Sequence, residues 1–227
     1  LHYPGAREPV VIEYRGAQLR AIAAGRRITG DLSFDLADSG QLQAQYDLPW
    51  PARAAPDQPL RGRLRADIRD LRPLSLVLPA IDLARGRLAA DLTLAGTGAA
   101  PQVAGEVALR DAAVTIPALG VQWRDVELSA RSTDGRHAQL TGTARSGDGA
   151  LRLHGTLDVA TPPRWTARLK LEGENFEVVK IPQAWLLASP RLDLDMHPRA
   201  LHVRGEVDIP RGRLAPRDLS NAVRVSD

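Results

Sequence analysis

Residues 151–159 read LRLHGTLDV, and their side chains alternate in polarity. The odd positions hold leucine, glycine or valine, and the even positions hold arginine, histidine, threonine or aspartate. A period of two is typical of a β-strand with one covered face. The same alternation recurs along nearly the whole chain, with little helical pattern to cover it. The stretch therefore predicts an all-β protein and raises the question of what covers its apolar face.

About a dozen alternating segments follow one another along the 227 residues, joined by short connections. The sequence SGDG at 146–149 is typical of a hairpin turn. The alternation slips between Trp123 and Val126, which predicts a β-bulge. Two apolar stretches, near 71–80 and 182–188, do not alternate and are predicted to form short helical inserts. We expect a single elongated domain over residues 1–227.

The composition argues against several classes of partner. The pI near 9.8 suggests a nucleic-acid binder, but 30 basic residues nearly balance 27 acidic ones and the net charge is only +3. Phosphate binding needs a clustered positive excess, whereas charges of both signs alternate here, so we expect no nucleic-acid partner. The chain has no cysteine, which excludes disulfides, thiolate metal sites and cysteine catalysis.

The residues that carry chemistry form no catalytic or ligand-binding pattern. His197 and His202 lack the spacing of a metal-binding pair and have no evident third ligand. Asp193 and Asp195 belong to an alternating strand rather than to an oxygen-rich calcium loop. The glycines match no phosphate-binding loop. We therefore expect no enzymatic activity, no cofactor and no metal.

An apolar face of this extent could be covered in three ways. The cover could be a second sheet, a bilayer around a barrel, or a lipid held inside a groove. A membrane barrel needs girdles of aromatic residues, and a sandwich usually fills its centre with them. Aromatic residues make up only 4% of this chain. A smooth face of leucine, valine and alanine favours a sheet folded around acyl chains.

Three short motifs follow one another in the middle of the chain. They are G-x-L-x-x-x-L-x-L-x-G-T from Gly86 to Thr97, P-x-[VL]-x-G from Pro101 to Gly105, and [IL]-P-x-L-G from Ile116 to Gly120. In this order and spacing they resemble the TamB family of Gram-negative bacteria. The later segments 143–159, 171–196 and 203–227 resemble the late part of that family's long periplasmic region. The resemblance is stronger over 60–227 and weaker over 1–59.

The resemblance implies a segment of a large periplasmic protein, anchored in the inner membrane by an N-terminal helix outside these residues. It implies an elongated, strongly curved, U-shaped sheet, the β-taco, whose apolar interior groove carries phospholipid between the inner and outer membranes in outer-membrane biogenesis. It also implies a partner for the full-length protein, the outer-membrane barrel TamA. A chaperone-like scaffold for β-barrel or autotransporter precursors is the alternative, and a purely structural sandwich is a third.

The inward positions of the strands would line such a groove and contact phospholipid acyl chains. These residues are Leu88, Leu92, Leu94, Val107, Leu109, Leu140, Leu151, Leu153, Leu157, Val159, Leu169, Leu171, Leu192, Leu194, Val203 and Val207. Four glycines face the same side, and a line of them across neighbouring strands would crease the sheet. They are Gly105, Gly142, Gly155 and Gly205. Alternatively, each glycine only makes room for a neighbouring side chain, and the sequence leaves both possibilities open.

Overall fold

A computed structural model describes residues 14–50, 56–71, 82–161 and 164–215, and nearly all of these residues lie in antiparallel β-strands. The strands are β1 (Gly16–Ala24), β2 (Arg27–Asp35), β3 (Gly40–Pro49), β4 (Arg61–Ile68), β5 (Asp82–Gly96), β6 (Pro101–Ile116), β7 (Val121–Ser132), β8 (His137–Ser146), β9 (Gly149–Thr161), β10 (Arg164–Glu174), β11 (Phe176–Ile181), β12 (Ala184–His197) and β13 (Ala200–Leu214).

The strands form one continuous sheet that does not close into a barrel. From β1 to β10 each strand pairs with the next one along the chain. β12 pairs with β10 and β11 along one edge and with β13 along the other. The prediction of an all-β, curved sheet is confirmed.

The register brings the apolar positions of neighbouring strands side by side in three rows. The first row is Leu19, Leu32, Ala44, Leu64, Leu92, Gly105, Ser132, Ala138, Leu157, Ala167, Met196 and Leu201. The second row is Ala17, Phe34, Leu42, Ala66, Ala90, Val107, Ala130, Leu140, Gly155, Leu169, Leu194 and Val203. The third row is Gly40, Ile68, Leu88, Leu109, Leu128, Gly142, Leu153, Leu171, Leu192 and Gly205. We call the side that these rows share the inward face.

The β-bulge predicted between Trp123 and Val126 is confirmed. Asp125 adopts a φ of 50°, and the pairing of β6 with β7 shifts beside it. A second bulge lies on β6 at Asp111, with a φ of 51°, and Asn175 separates β10 from β11 with a φ of 49°. Each such bulge inserts a residue and resets the alternation. Apolar residues on both sides of the bulge therefore face inward.

The four glycines expected to form a crease do not line up across neighbouring strands. Gly105 lies in the first row and Gly155 in the second. Gly142 and Gly205 share the third row, but three leucines separate them. A Cβ on Gly142 would lie 2.7 Å from Cδ2 of Leu128, so this glycine makes room for a side chain.

The helix expected near 182–188 is wrong, because this stretch is a turn followed by the start of β12. Leu186 pairs within the sheet between Val179 and Gly212. Trp185 lies on the opposite side of the strand and donates a hydrogen bond from Nε1 to Oε2 of Glu177 at 2.8 Å. A strand partly covered on both faces loses its alternation and is then hard to distinguish from a short helix.

Helix is nearly absent from the part of the chain that the structure describes. It contains a single 3-10 turn, Ala37–Ser39. The insert expected near 71–80 lies outside the described residues, apart from Leu71. Among the described residues, no helix is long and apolar enough to cross a membrane.

The buried core is small and lies at one end of the strands rather than along the sheet. The ring of Trp123 meets that of Phe176 edge-on, with 5.4 Å between their centroids. We call this cluster the closed corner. Its buried members are Leu71, Ala112, Val114, Val126, Ala144 and Phe176.

Candidate functional site

The inward face is a continuous apolar surface without charge. The first and second rows each cross twelve adjacent strands, and the serine hydroxyl of Ser132 is the only polar side-chain group in them. At about 4.8 Å between strands, each row is roughly 50 Å long. We call this uncharged apolar surface the trough.

Twelve of the sixteen residues predicted to line a groove fall in the three rows. By the alternation of their strands, the other four extend the same face. These are Leu94, Leu151, Val159 and Val207. The structure thus brings together on one face all the predicted lining residues.

The lining residues are only partly covered. Fourteen of the sixteen have intermediate exposure, while Val203 and Val207 are about half exposed, and none is buried. A filled sandwich core would remove such side chains from water almost completely. The trough is therefore an accessible surface within the described part of the chain.

The outward face is polar, and its charges form pairs across neighbouring strands. Arg87 donates two hydrogen bonds to Asp67, at 2.8 and 2.7 Å, and these lower the pKa of the Asp67 carboxyl. Similar pairs join Arg63 to Asp91 and Arg191 to Glu206. Exposed pairs of this kind contribute little stability, typically less than about 1 kcal/mol. Their arrangement instead indicates which face of the sheet meets water.

The closed corner joins the trough where β11 crosses the end of the hairpin formed by β8 and β9. The backbone N–H of Lys180 donates to the carbonyl of Leu119 at 2.8 Å. The buried hydroxyl of Ser146 donates to the carbonyl of Glu177, also at 2.8 Å. The first bond ties β11 to the turn between β6 and β7, and the second ties the end of β8 to β11.

The histidines of the outward face do not form a metal site. His197 and His202 pack edge-on with 5.5 Å between ring centroids. His154 is exposed on β9. Among the described residues, no group of three or more metal-ligating side chains comes together.

His137, at the start of β8, lies between two carboxylates. Its Nδ1 is 2.6 Å from Oδ2 of Asp134, and its Nε2 is 3.5 Å from Oδ2 of Asp158. The hydrogen bond to Asp134 and the charges of both aspartates raise the pKa of His137 above 6.5. Stability from this contact is complete between about pH 4 and pH 6.5. It is lost as the pH rises through the raised pKa of His137, and also as the pH falls through the lowered pKa of the Asp134 carboxyl.

We expect the variant Asp134→Asn to return the pKa of His137 toward 6.5, because it removes the hydrogen-bonded charge. An NMR titration of the His137 imidazole would measure the change. The variant Asp158→Asn, which removes the more distant carboxylate, is the matched control and should lower the pKa less. An equal or larger effect of Asp158→Asn would contradict the assignment.

The residues of the closed corner were not predicted as part of a site. The slip at Trp123 indicated a bulge, but nothing in the local pattern placed its ring against Phe176. The low aromatic content argues against a filled core, yet two of the few aromatic side chains meet at this corner.

Comparisons with known proteins match most of the chain to one family. Residues 4–109 match the family model described as TamB, N-terminal domain, and residues 138–227 match the one described as TamB C-terminal domain. The chain is similar to the Translocation and assembly module subunit TamB of Haemophilus influenzae, with 26% identity over 160 residues. That alignment covers 70% of this chain and 12% of the relative, so the chain spans a small part of the relative's length. No solved structure matches the chain.

Proposed function

The chain belongs to the TamB family, and from this premise we propose that it is a lipid-conducting segment of a periplasmic protein. In this proposal the trough holds phospholipid acyl chains on their way between the inner and outer membranes. The protein as a whole is anchored in the inner membrane and contacts a TamA-like outer-membrane barrel. Outer-membrane biogenesis depends on the lipid that passes along it.

The observation that supports this proposal most strongly is the combination of extent and exposure on the inward face. Two rows run across twelve strands without a charged side chain, yet the lining residues remain partly accessible. Acyl chains gain about 0.8 kcal/mol for each methylene that they bury. Phospholipid in the trough would cover the apolar surface that the sheet itself leaves exposed.

A second candidate function is a scaffold for unfolded outer-membrane barrel or autotransporter precursors. It is favoured by β13, whose fifteen residues are exposed and pair only with β12 among the described strands. Unpaired edge strands can accept an extended chain by strand addition. In that case the trough would receive protein segments rather than lipid.

Lipid extraction from the purified chain, followed by mass spectrometry, tests the first proposal. We expect phospholipid to remain bound through purification in detergent-free buffer. The matched control is an unrelated periplasmic all-β protein of similar size, purified in parallel. Phospholipid no more abundant than in that control would contradict a lipid-conducting role.

A further inference from the structure

The trough is asymmetric across its width. The sealed lip consists of the turns at 117–120 and 147–148 together with β11, and the open lip consists of the turns at 97–100, 133–136 and 198–199. Near the sealed lip, inward side chains that belong to β6, β7 and β8 are almost fully buried. These are Ala112, Val114, Val121, Val126, Ala144 and Ser146.

The sealed lip is held by contacts between segments that are far apart in the sequence. β11 turns away from β10 at Asn175 and reaches the turn before β7, where Lys180 bonds to Leu119. A Cβ on Gly147 would lie 3.4 Å from Cβ of Glu177, and Ser146 donates a hydrogen bond to the Glu177 carbonyl. The end of the β8–β9 hairpin and β11 are therefore in close contact, with no room between them for an acyl chain.

The apolar lining of the trough is continuous with the buried residues near the sealed lip. Leu109 and Leu151 line the trough, and both also pack against the closed corner. The corner presents the edge-on pair of Trp123 and Phe176. An acyl chain that lies along the trough toward the sealed lip therefore contacts the apolar side chains of the closed corner.

The open lip has the opposite character. Val103 and Leu201, near this lip, remain 45% and 57% exposed. Arg136 and Arg199 are exposed in its turns. Guanidinium groups bind phosphate well, and the carboxylates of Asp134 and Asp158 lie at the same lip, so this charged lip suits a hydrated, phosphate-bearing headgroup better than it suits acyl chains.

We infer that phospholipids lie across the trough, with their terminal methyl groups at the closed corner and their headgroups at the open lip. This inference rests on the proposed function and adds an orientation to it. The strand distance from Leu157 to Leu151 is about 20 Å. The hydrocarbon of one leaflet is about 15 Å deep, half of the bilayer core. An acyl chain fits between the open lip and the corner.

Two of the four tryptophans of the chain lie at the two ends of this path. Trp123 lies in the closed corner, and Trp165 lies at the start of β10 beside the open lip. The indole N–H of Trp123 is buried without a hydrogen-bond partner. The variant Trp123→Phe therefore removes the fluorophore without breaking a hydrogen bond.

Quenching by brominated lipid tests the orientation. The chain is incubated with vesicles of phosphatidylcholine brominated near the terminal methyl or near the carboxyl end, and is then re-isolated. The fluorescence lost in Trp123→Phe and in Trp165→Phe, relative to the unmodified chain, gives the signal of each tryptophan above the shared background of Trp50 and Trp185. We expect methyl-end bromine to quench Trp123 at least twofold more than carboxyl-end bromine, and the reverse for Trp165.

Two outcomes would overturn the inference, and they are distinguishable. If lipid is retained but both bromine positions quench the two tryptophans equally, lipids have no fixed orientation across the trough and the proposed function still stands. If no brominated lipid is retained on the re-isolated chain, the proposed function fails, and the orientation fails with it.

Discussion

Replacing Gly105 with alanine is expected to destabilise the sheet by about 2–4 kcal/mol. Gly105 adopts a φ of +128°, a backbone conformation that side-chain-bearing residues rarely adopt. A Cβ at this position would lie only 2.0 Å from the carbonyl oxygen of Asp91. The clash is with backbone of the paired strand, so β5 and β6 would have to move apart. Thermal unfolding should show a decrease of roughly 5–15 °C in the melting temperature.

The matched control is Gly62→Ala on β4. Gly62 also lies inside a strand, but a Cβ there would be 3.2 Å from the carbonyl oxygen of Gln45. A shift of a few tenths of an ångström accommodates this contact, and we expect less than about 1 kcal/mol of destabilisation. Equal losses in the two variants would show that close strand approach is not what requires glycine at position 105.

The same close approach recurs at other glycines across the sheet. At Gly40, Gly155 and Gly205, as at Gly105, a Cβ would lie 2.0 Å from a carbonyl oxygen on the paired strand. These glycines lie on β3, β6, β9 and β13, and a Cβ on Gly30 of β2 would lie 2.2 Å from the carbonyl oxygen of Arg20 on β1. The sequence showed the recurring glycines, but their role depends on the distance between strands, which no local pattern reports.

Much of the fold and of the candidate site could be predicted because alternation is a local property. The pattern at 151–159 indicates a strand and also shows which of its side chains share a face. The predicted lining residues therefore lie on one face, whichever strands turn out to be neighbours. The slip at Trp123 likewise appears in the sequence, because a bulge changes the phase of the residues that follow it.

The closed corner could not be predicted, because it depends on contacts between distant segments. The bond between Lys180 and Leu119 joins β11 to the turn between β6 and β7, across four intervening strands. The helix predicted at Trp185 and Leu187 is wrong for a related reason. Both side chains lie on the outward face and are covered there by Glu177, which belongs to the preceding strand. Local periodicity carries no information about such cover.

An arginine at Leu140 is expected to reduce the phospholipid bound to the purified chain at least tenfold. Leu140 lies in the second row between Ala130 and Gly155, where no carboxylate is available to pair with a guanidinium. An unpaired ion in apolar surroundings costs several kcal/mol even after relaxation, and 1.4 kcal/mol already corresponds to a factor of ten in binding. Movement of the long side chain toward the open lip would lessen the cost but would still narrow the trough.

The adjacent residue provides the control. Thr141 is exposed on the outward face of the same strand, opposite Ser129 and His154. The variant Thr141→Arg adds the same charge and bulk on the side that meets water, and it should retain lipid within about twofold of the unmodified chain. Leu140→Met keeps the inward position apolar and should behave in the same way. The melting temperatures of all three variants separate loss of lipid from loss of folding.

Photo-crosslinking at the same two positions then identifies what occupies the trough. A crosslinking amino acid at position 140 faces inward, and the same group at position 141 faces outward, so lipid should be captured at 140 alone. Equal capture of lipid at both positions, or equal lipid retention by Leu140→Arg and Thr141→Arg, would mean that the inward face has no special role. Capture of unfolded barrel protein at 140, without lipid, would instead assign the trough to the scaffold function. A charge-free face can accept any apolar chain. The two candidate functions therefore differ in the molecule that is captured at position 140.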